Sequence, residues 1–573
     1  MRTDAPRLPR GREPRRSGSR EPVWRSFLPA LARIRGSGAL ALLVVVVPFG
    51  VVLARLAAEP GPPVRLAADF ALTELATREA AGGGRLLGPW SRFDWNHPGP
   101  SYFYLLVPFY RAWGEARGLY AGALIINLAA ALGVVAVVAR RSGQRAALWA
   151  AVVVLAFGWA VGPARLRDVW NPFVVALPTL LFVVLCAAYV AGSRLSLGAA
   201  AVIGSFVVQT HVGTAPFVAA LLGTALIAGR QSGVGRRVGA VPARAARAGG
   251  RVPALALAAV TVLMWVPALI EQVTAPSGNL TELGRFALSR QPGQPLGEAL
   301  AAWTAATSVV PLGLAGTHEL PATPSVPRLV ALGAWALVAA TCVRLGRLRR
   351  DAFVTALGES SLLGGAVCAV LAYRVPGALL GYLLYWMAVV PLAAWIGLGV
   401  LAAQWLRRPA RMPPRLMRVA PVAAAVGLSV ALSLSAQRVA PISELSDERV
   451  DVVVGLIGQR VDLDERPRVL VTTASHGHGV WIPMAGVVNE LDRRGVDVSV
   501  GRWLARYGTR FRRSGTEDLE VLLGRAGAVD PALAAGAEWI GRAGITEVLI
   551  RPGHRARPRP ALEPAFPTPG PRR

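Results

Sequence analysis

The sequence predicts an α-helical polytopic membrane protein with about eleven transmembrane helices and a small C-terminal α/β domain. Three observations predict it. Of the 573 residues, 53% are hydrophobic, above the roughly 45–50% of soluble domains. The excess gathers into runs of about 17–25 residues, the length at which a helix crosses a bilayer's hydrocarbon. Charged residues are only 17%, and many Arg sit in short loops between the apolar runs, the positive-inside arrangement that sets topology.

The net charge of +29 invites a nucleic-acid reading, which the distribution of that charge excludes. All 62 basic residues are Arg. With abundant Ala, Gly and Pro, the lack of Lys reads as coding bias in a GC-rich bacterial genome. Cys186, Cys342 and Cys368 lie in or at the ends of apolar runs without CxxC spacing, so they read as small core residues rather than a disulfide framework or metal site. Residues 1–37, rich in Arg, Pro, Ser and Gly, read as a disordered cytoplasmic N-terminus.

The spans follow in order. The first is Ala39–Ala57, then Leu119–Ala139, Ala146–Val161 and Phe173–Ala191. Leu197–Thr210 and Val212–Ala228 form a tight pair, which one long tilted helix or a re-entrant turn would also fit. Pro253–Ile270, Leu329–Val343, Ala352–Ala372, Ala378–Leu401 and Ala420–Ala436 complete the set. Basic loops fix the sides. Arg140, Arg141 and Arg145 follow the second span, and Arg230 to Arg251 carries six Arg and no acid. Arg344, Arg347, Arg349 and Arg350 follow the eighth; Arg407, Arg408, Arg411, Arg415 and Arg418 follow the tenth. With eleven spans all four loops share the side of the N-terminus. The membrane domain then covers 38–436 in a plasma membrane, with outward loops at about 58–118 and 271–328. The C-terminal region faces outward too; an even number of spans would reverse its side.

Residues 437–552 read as that soluble extracytoplasmic domain. Val469–Thr473, Val496–Val500 and Val548–Arg551 have the make-up of strands. Trp481–Arg494, Glu517–Gly524 and Pro531–Arg542 read as helices. Alternation of strand and helix predicts a parallel sheet. The tail 553–573, rich in Pro and Arg, reads as disordered.

The first outer loop holds the richest chemistry. Asp69 falls just beyond the first span, with Glu74 and Arg78 at helical spacing behind it. An acid at the membrane surface is a functional candidate, and Asp also caps helices; both readings stand here. Trp95-Asn96-His97-Pro98-Gly99-Pro100 then turns into the aromatic stretch Ser101–Tyr110, suited to a membrane interface. His97 suits a phosphate or a sugar hydroxyl, or is simply solvated. Gln209 and His211 sit at the outward tip of the tight pair, where polar groups are costly unless they face a cavity. Asn171 precedes Pro172 and also fits a helix cap; Asn279 fits a turn after Ser277-Gly278. Arg78, Arg92 and Arg167, near the outer face, each read as a surface charge. His476-Gly477-His478 reads as a loop at a strand end, and Gly82-Gly83-Gly84 as a flexible loop lacking a P-loop Lys.

These residues carry a resemblance. Asp69–Glu74, Trp95–Pro100, Trp170-Asn171-Pro172, Gln209-Thr210-His211 and the stretch Trp265–Leu280 together resemble the GT-C membrane glycosyltransferases. The plan is that of the protein O-mannosyltransferases and the lipid A aminoarabinose transferases, and is most similar to the bacterial RgtA/B/C/D-like group. The resemblance spans roughly Asp69 to Trp386. It implies a sugar donor on a polyprenyl phosphate, a glycan, lipid or protein acceptor, and no nucleic acid. Asp69 would act as general base in a single inverting displacement. Glu74, Arg78, Arg92, Asn96, His97, Arg167, Asn171, Gln209, His211 and Asn279 would contact substrate. Better-known members carry Asp-Glu where this chain has Asp69-Phe70, so no metal ligands are assigned and a divalent metal is left open. His97 is followed by Pro98-Gly99 rather than Pro-Pro. Two other readings remain: a polysaccharide polymerase or ligase, and a transporter or lipid flippase. The second expects charges near the bilayer midplane, whereas the notable charges here lie at helix ends.

Overall fold

The computed structural model describes residues 37–59, 64–231, 251–289, 291–314, 316, 318–406, 414–475, 480–501 and 504–553. The expectations for the N-terminal segment, for most of the Arg230–Arg251 loop, for Arg407 to Arg411, for His476-Gly477-His478 and for the C-terminal tail fall outside the described residues.

Ten helices are long and apolar enough to cross a membrane among the described residues. In chain order, α1 (Ser37–Ala58) enters the bundle and is followed by α2 (Ala68–Ala81) and α3 (Ser101–Trp113). The long α4 (Glu115–Ser142) and α5 (Gln144–Val161) are followed by α6 (Ala176–Val190), α7 (Arg194–Thr210) and α8 (Ala215–Gln231). Next come α9 (Arg251–Thr274), the short α10 (Asn279–Leu288) and α11 (Leu296–Thr307), then α12 (Val326–Leu348), α13 (Ala352–Arg374), α14 (Val390–Trp405) and α15 (Pro414–Ala436). The expected span missing from these ten is the fifth, Leu197–Thr210; it is α7, whose 17 residues reach only about 26 Å. It turns into α8 through His211 and a 3₁₀ turn at Val212–Thr214, so the tight pair is two helices rather than one tilted helix. The tenth expected span is broken. A 3₁₀ segment, Tyr385–Val389, precedes α14, which opens on Pro391, where the missing N–H ends any continuous α-ladder.

Burial separates centre from rim. The span Asn171–Val190 is 94% buried, whereas Pro253–Thr274 is 6% buried. Leu255, Val262 and Leu263 on α9 are exposed, the pattern of a helix whose partner is hydrocarbon rather than protein.

The C-terminal region contains α16 (Glu448–Gly458), capped by the Asp447 side chain, and α17 (Trp481–Arg493). Its five strands are β1 (Arg468–Thr473), β2 (Asp497–Val500), β3 (Leu519–Arg525), β4 (Glu538–Ala543) and β5 (Thr546–Pro552), ordered β2-β1-β3-β5-β4. The sheet is mixed, not parallel: β1 pairs parallel with β2 and β3, while β5 runs antiparallel to β3 and β4. Two expected helices, Glu517–Gly524 and Pro531–Arg542, are instead the sites of β3 and β4. β3 is central and buried at every position except Arg525, and a strand covered on both faces carries no alternation to read.

The two regions meet at α2 and α17. Glu74, fully buried, accepts from Tyr110 (2.9 Å), Asn489 (2.8 Å) and Arg493 (3.1 Å). Arg78 pairs with Asp492 at 2.7 Å and with Glu74 at 3.3 Å. Burying this many charges is tolerable because each has an opposite partner.

Candidate active site

A cavity of about 930 Å³ opens at one end of the bundle. Its polar wall begins with Asp69 in the first turn of α2, a position the helix dipole favours for an acid. The N-cap of α2 is Ala67, with no side-chain cap bond, so Asp69 is not a cap. Among the described residues its carboxylate meets Asp69-facing charge from Arg506. Burial pushes its pKa up to about 6, against the pull of Arg506. It is the one carboxylate on the cavity wall among the described residues.

The next wall is a tight turn between Gly88 and His97. The Gly88 N–H donates to His97 O (3.0 Å), the His97 N–H to Pro89 O (2.8 Å) and the Ser91 N–H to Trp95 O (2.9 Å). Gly88 lies so close to backbone that a Cβ there would sit 2.7 Å from the carbonyls of Gly99 and His97. Arg85 holds this turn from beneath, donating to Leu87 O and Gly88 O and pairing with Glu79. Asn279 clips the turn to α10. Its Oδ1 accepts from the Asn96 N–H (2.9 Å) and its Nδ2 donates to Asn96 O (2.8 Å). The two arms read one backbone residue as a neighbouring strand would.

His97 and His211 stack with ring centres 5.3 Å apart. Nδ1 of His97 accepts from the Val212 N–H at 3.1 Å, which leaves Nε2 as the protonated nitrogen of the neutral ring. Burial, reinforced by His211, holds His97 well below its ordinary range, and burial lowers His211 to about 4. Both are therefore neutral hydrogen-bonding groups rather than cations at physiological pH. Trp170, His318 and Tyr382 pack as a triangle of rings, with Trp170 6.0 Å from His318 and 4.5 Å from Tyr382, and His318 6.0 Å from Tyr382. Arg92 donates to Pro376 O (3.1 Å) and Ala378 O (2.6 Å), and Arg374 lines the cavity near it. From the C-terminal region come Trp481 and Arg506; the Arg506 guanidinium sits 4.0 Å from the Trp90 ring and 5.1 Å from the Trp481 ring. Leu283, Phe286, Leu371 and Leu383 give the cavity an apolar flank. The whole joins an aromatic and apolar chamber to one acid and three guanidinium groups, those of Arg92, Arg374 and Arg506, the make-up of a site for an anionic, partly apolar ligand.

No protein-family model matches the chain, and no curated protein matches it in sequence. Solved structures do match. ArnT from Cupriavidus metallidurans bound to undecaprenyl phosphate aligns with a TM-score of 0.52 at 12% identity, covering 94% of this chain and 100% of that one. The apo state of the same ArnT aligns with a TM-score of 0.54 at 13% identity, covering 90% and 98%. ArnT is a GT-C lipid A aminoarabinose transferase. The chain has the GT-C fold.

Within this GT-C fold, the residues singled out from the sequence divide. Asp69, Arg92, His97, Asn171 and His211 line one cavity. Asn96, Gln209 and Asn279 stand behind its wall. Gln209 donates to Met264 O at 2.9 Å, and its side chain fills the space beside Gly99, where a Cβ would lie 2.4 Å from Oε1. That contact accounts for glycine at position 99. Asn171 donates to Thr210 O at 2.9 Å. Glu74 and Arg78 face α17 rather than the cavity, and Arg167 is buried against Glu59 (3.3 Å) and Ala440 O. Trp90, His318, Arg374, Tyr382, Trp481 and Arg506 also line the site. A Trp-Asn-Pro signal flagged Trp170, but nothing local marks Arg506, which lies far along the chain from Asp69. A divalent cation would find Asp69 as its sole cavity carboxylate, and among the described residues no three His, Cys, Asp or Glu side chains converge. The donor set does not fit a metal centre, and no step is derived through one.

Proposed function

We propose that this GT-C protein is an extracytoplasmic glycosyltransferase that moves a sugar from a polyprenyl-phosphate donor to a glycan, lipid or protein acceptor of the cell envelope. The observation that carries the reading is Asp69: a single carboxylate, raised to about 6, on the wall of an aromatic cavity that also holds Arg92, Arg374 and Arg506. At neutral pH such a group is mostly ionised yet basic enough to take a proton. The acceptor hydroxyl attacks the anomeric carbon and its proton passes to Asp69. The bond from that carbon to the phosphate oxygen breaks, and polyprenyl phosphate leaves with the electron pair. One displacement inverts the anomeric centre. Arg92 and its neighbouring guanidinium groups suit the leaving phosphate, and the neutral His97 and His211 rings suit sugar hydroxyls. The flank of Leu283, Phe286, Leu371 and Leu383 suits the prenyl chain. That ArnT is described bound to undecaprenyl phosphate supports the donor class. In this reading the N-terminus is cytoplasmic and the cavity and C-terminal domain face outward.

The test is transfer from radiolabelled polyprenyl-phosphate sugars to endogenous acceptors, in membranes carrying the wild type or Asp69→Asn. Asparagine keeps the shape and removes the base. Label lost by about 10²-fold or more at equal protein level is the expected result; undiminished transfer removes Asp69 from the chemistry.

A further inference from the structure

The cavity is not built by the membrane bundle alone. Its wall beside Asp69 comes from the C-terminal region, through Trp481 at the start of α17 and Arg506 in the short helical turn Leu504–Tyr507. Arg506 is 5% exposed. Its guanidinium is held between two indoles from different parts of the chain, Trp90 on the outer-loop turn at 4.0 Å and Trp481 at 5.1 Å. A cation stacked on two rings is oriented as well as stabilised. Both rings are themselves anchored: Trp90 by its bridge to Asn96, and Trp481 by α17, which is docked on α2 through Glu74, Arg78, Asn489, Asp492 and Arg493. The helix that carries Asp69 is thus the helix on which the C-terminal region sits.

We propose that Arg506 is a positioning residue that acts on Asp69, so that the C-terminal domain completes the active site instead of standing beside it. This rests on the transferase reading for its functional consequence, but the electrostatic coupling across the shared cavity wall does not. Two titratable groups act electrostatically on or with Asp69: Arg506 and, from the span after α13, Tyr382. Arg506 in turn faces Asp69, Asp94 and Tyr507. Arg92, Arg374, His97, His211 and His318 occupy the remainder of the wall. The Arg506 charge favours the carboxylate form and opposes the desolvation that favours the acid. It keeps the base ionised inside a chamber that would otherwise neutralise it.

The experiment follows Asp69 directly. Dicyclohexylcarbodiimide modifies a protonated carboxyl in an apolar site. The full chain in lipid nanodiscs is treated across a pH series, and the Asp69 adduct is quantified by peptide mass spectrometry. Wild type is expected to lose reactivity with a midpoint near 6. Arg506→Gln, and Arg506→Met, which keeps the stem between the indoles, should move that midpoint up by about one pH unit. Arg506→Lys should restore it, and the acid limb of kcat/KM should move in step. A midpoint unchanged in a neutral variant that elutes as the wild type does overturns the inference. If Asp69→Asn abolishes transfer while the midpoint stays fixed, only this inference fails. If the midpoint moves while Asp69→Asn still transfers, the coupling stands and the base role fails.

Discussion

At Asp69 the chemistry depends on a balance between two opposed effects. Burial in the cavity favours the protonated acid, Arg506 favours the carboxylate, and the result lies at about 6. Only the carboxylate accepts a proton, so transfer is expected to rise with pH through that value and level above it. A kcat/KM profile should fall about tenfold per pH unit on the acid side, and a profile flat through that region would remove a carboxylate base. Glycine 88 makes a separate demand. A Cβ there would lie 2.7–2.8 Å from three carbonyl oxygens, those of His97, Gly99 and Gln209. Backbone cannot swing aside as a side chain can, so Gly88→Ala should cost about 1–3 kcal/mol, read as a lowered midpoint of thermal unfolding. What the sequence tells at this scale is residue type, not neighbours. Asp69, His97 and His211 were legible because polar groups beside apolar runs stand out. Gly99 read as a small departure from Pro-Pro, and its cause, the Gln209 side chain more than a hundred positions on, has no local trace.

The elements show which predicted site residues hold the site in place instead of lining it. Asn279 opens α10 and its amide satisfies both backbone groups of Asn96. In Asn279→Ala those buried groups lose their partners, at about 1–3 kcal/mol each. Limited proteolysis should then cut between residues 88 and 100, while an intact turn would refute the clip. Glu74 lies on α2, is wholly buried and touches Arg78 and Arg493. Removing it takes one carboxylate from Arg78, which keeps Asp492 at 2.7 Å, and from Arg493, which keeps Glu115 and Glu490 at 3.5 and 3.6 Å, so Glu74→Ala should destabilise the joint by about 1–3 kcal/mol and release the C-terminal domain to protease. A direct substrate contact would raise KM alone and leave that joint closed. At this scale the long spans were legible because about 20 apolar residues have few other readings. The strands β3 and β4 were not. β3 is an apolar run buried on both faces, and such a run looks alike as helix or strand until its neighbours are known.

For the whole molecule, the open question of sides turns on the same spans. The cavity lies at one end of the bundle, and Arg374 at the end of α13 lines it. That helix is 23 residues long, about 35 Å, and its other end lies next to Arg349. Positive-inside reasoning puts Arg349 in the cytoplasm and the cavity outside. Reading by composition and order alone found the spans in the sequence. It was blind to Arg506, because bringing the C-terminal region over Asp69 depends on the fold of the entire chain. The three cysteines, Cys186, Cys342 and Cys368, are all buried, so the native chain offers little background to a thiol reagent. Arg285→Cys on α10 and Arg349→Cys therefore make a paired test, since both positions are exposed. A membrane-impermeant maleimide added to intact cells should label position 285 and spare position 349, and permeabilised cells should give label at both. Labelling in the opposite sense would put the cavity in the cytoplasm, where a glycosyltransferase meets nucleotide sugars, and the polyprenyl-phosphate donor would lose its topological reason.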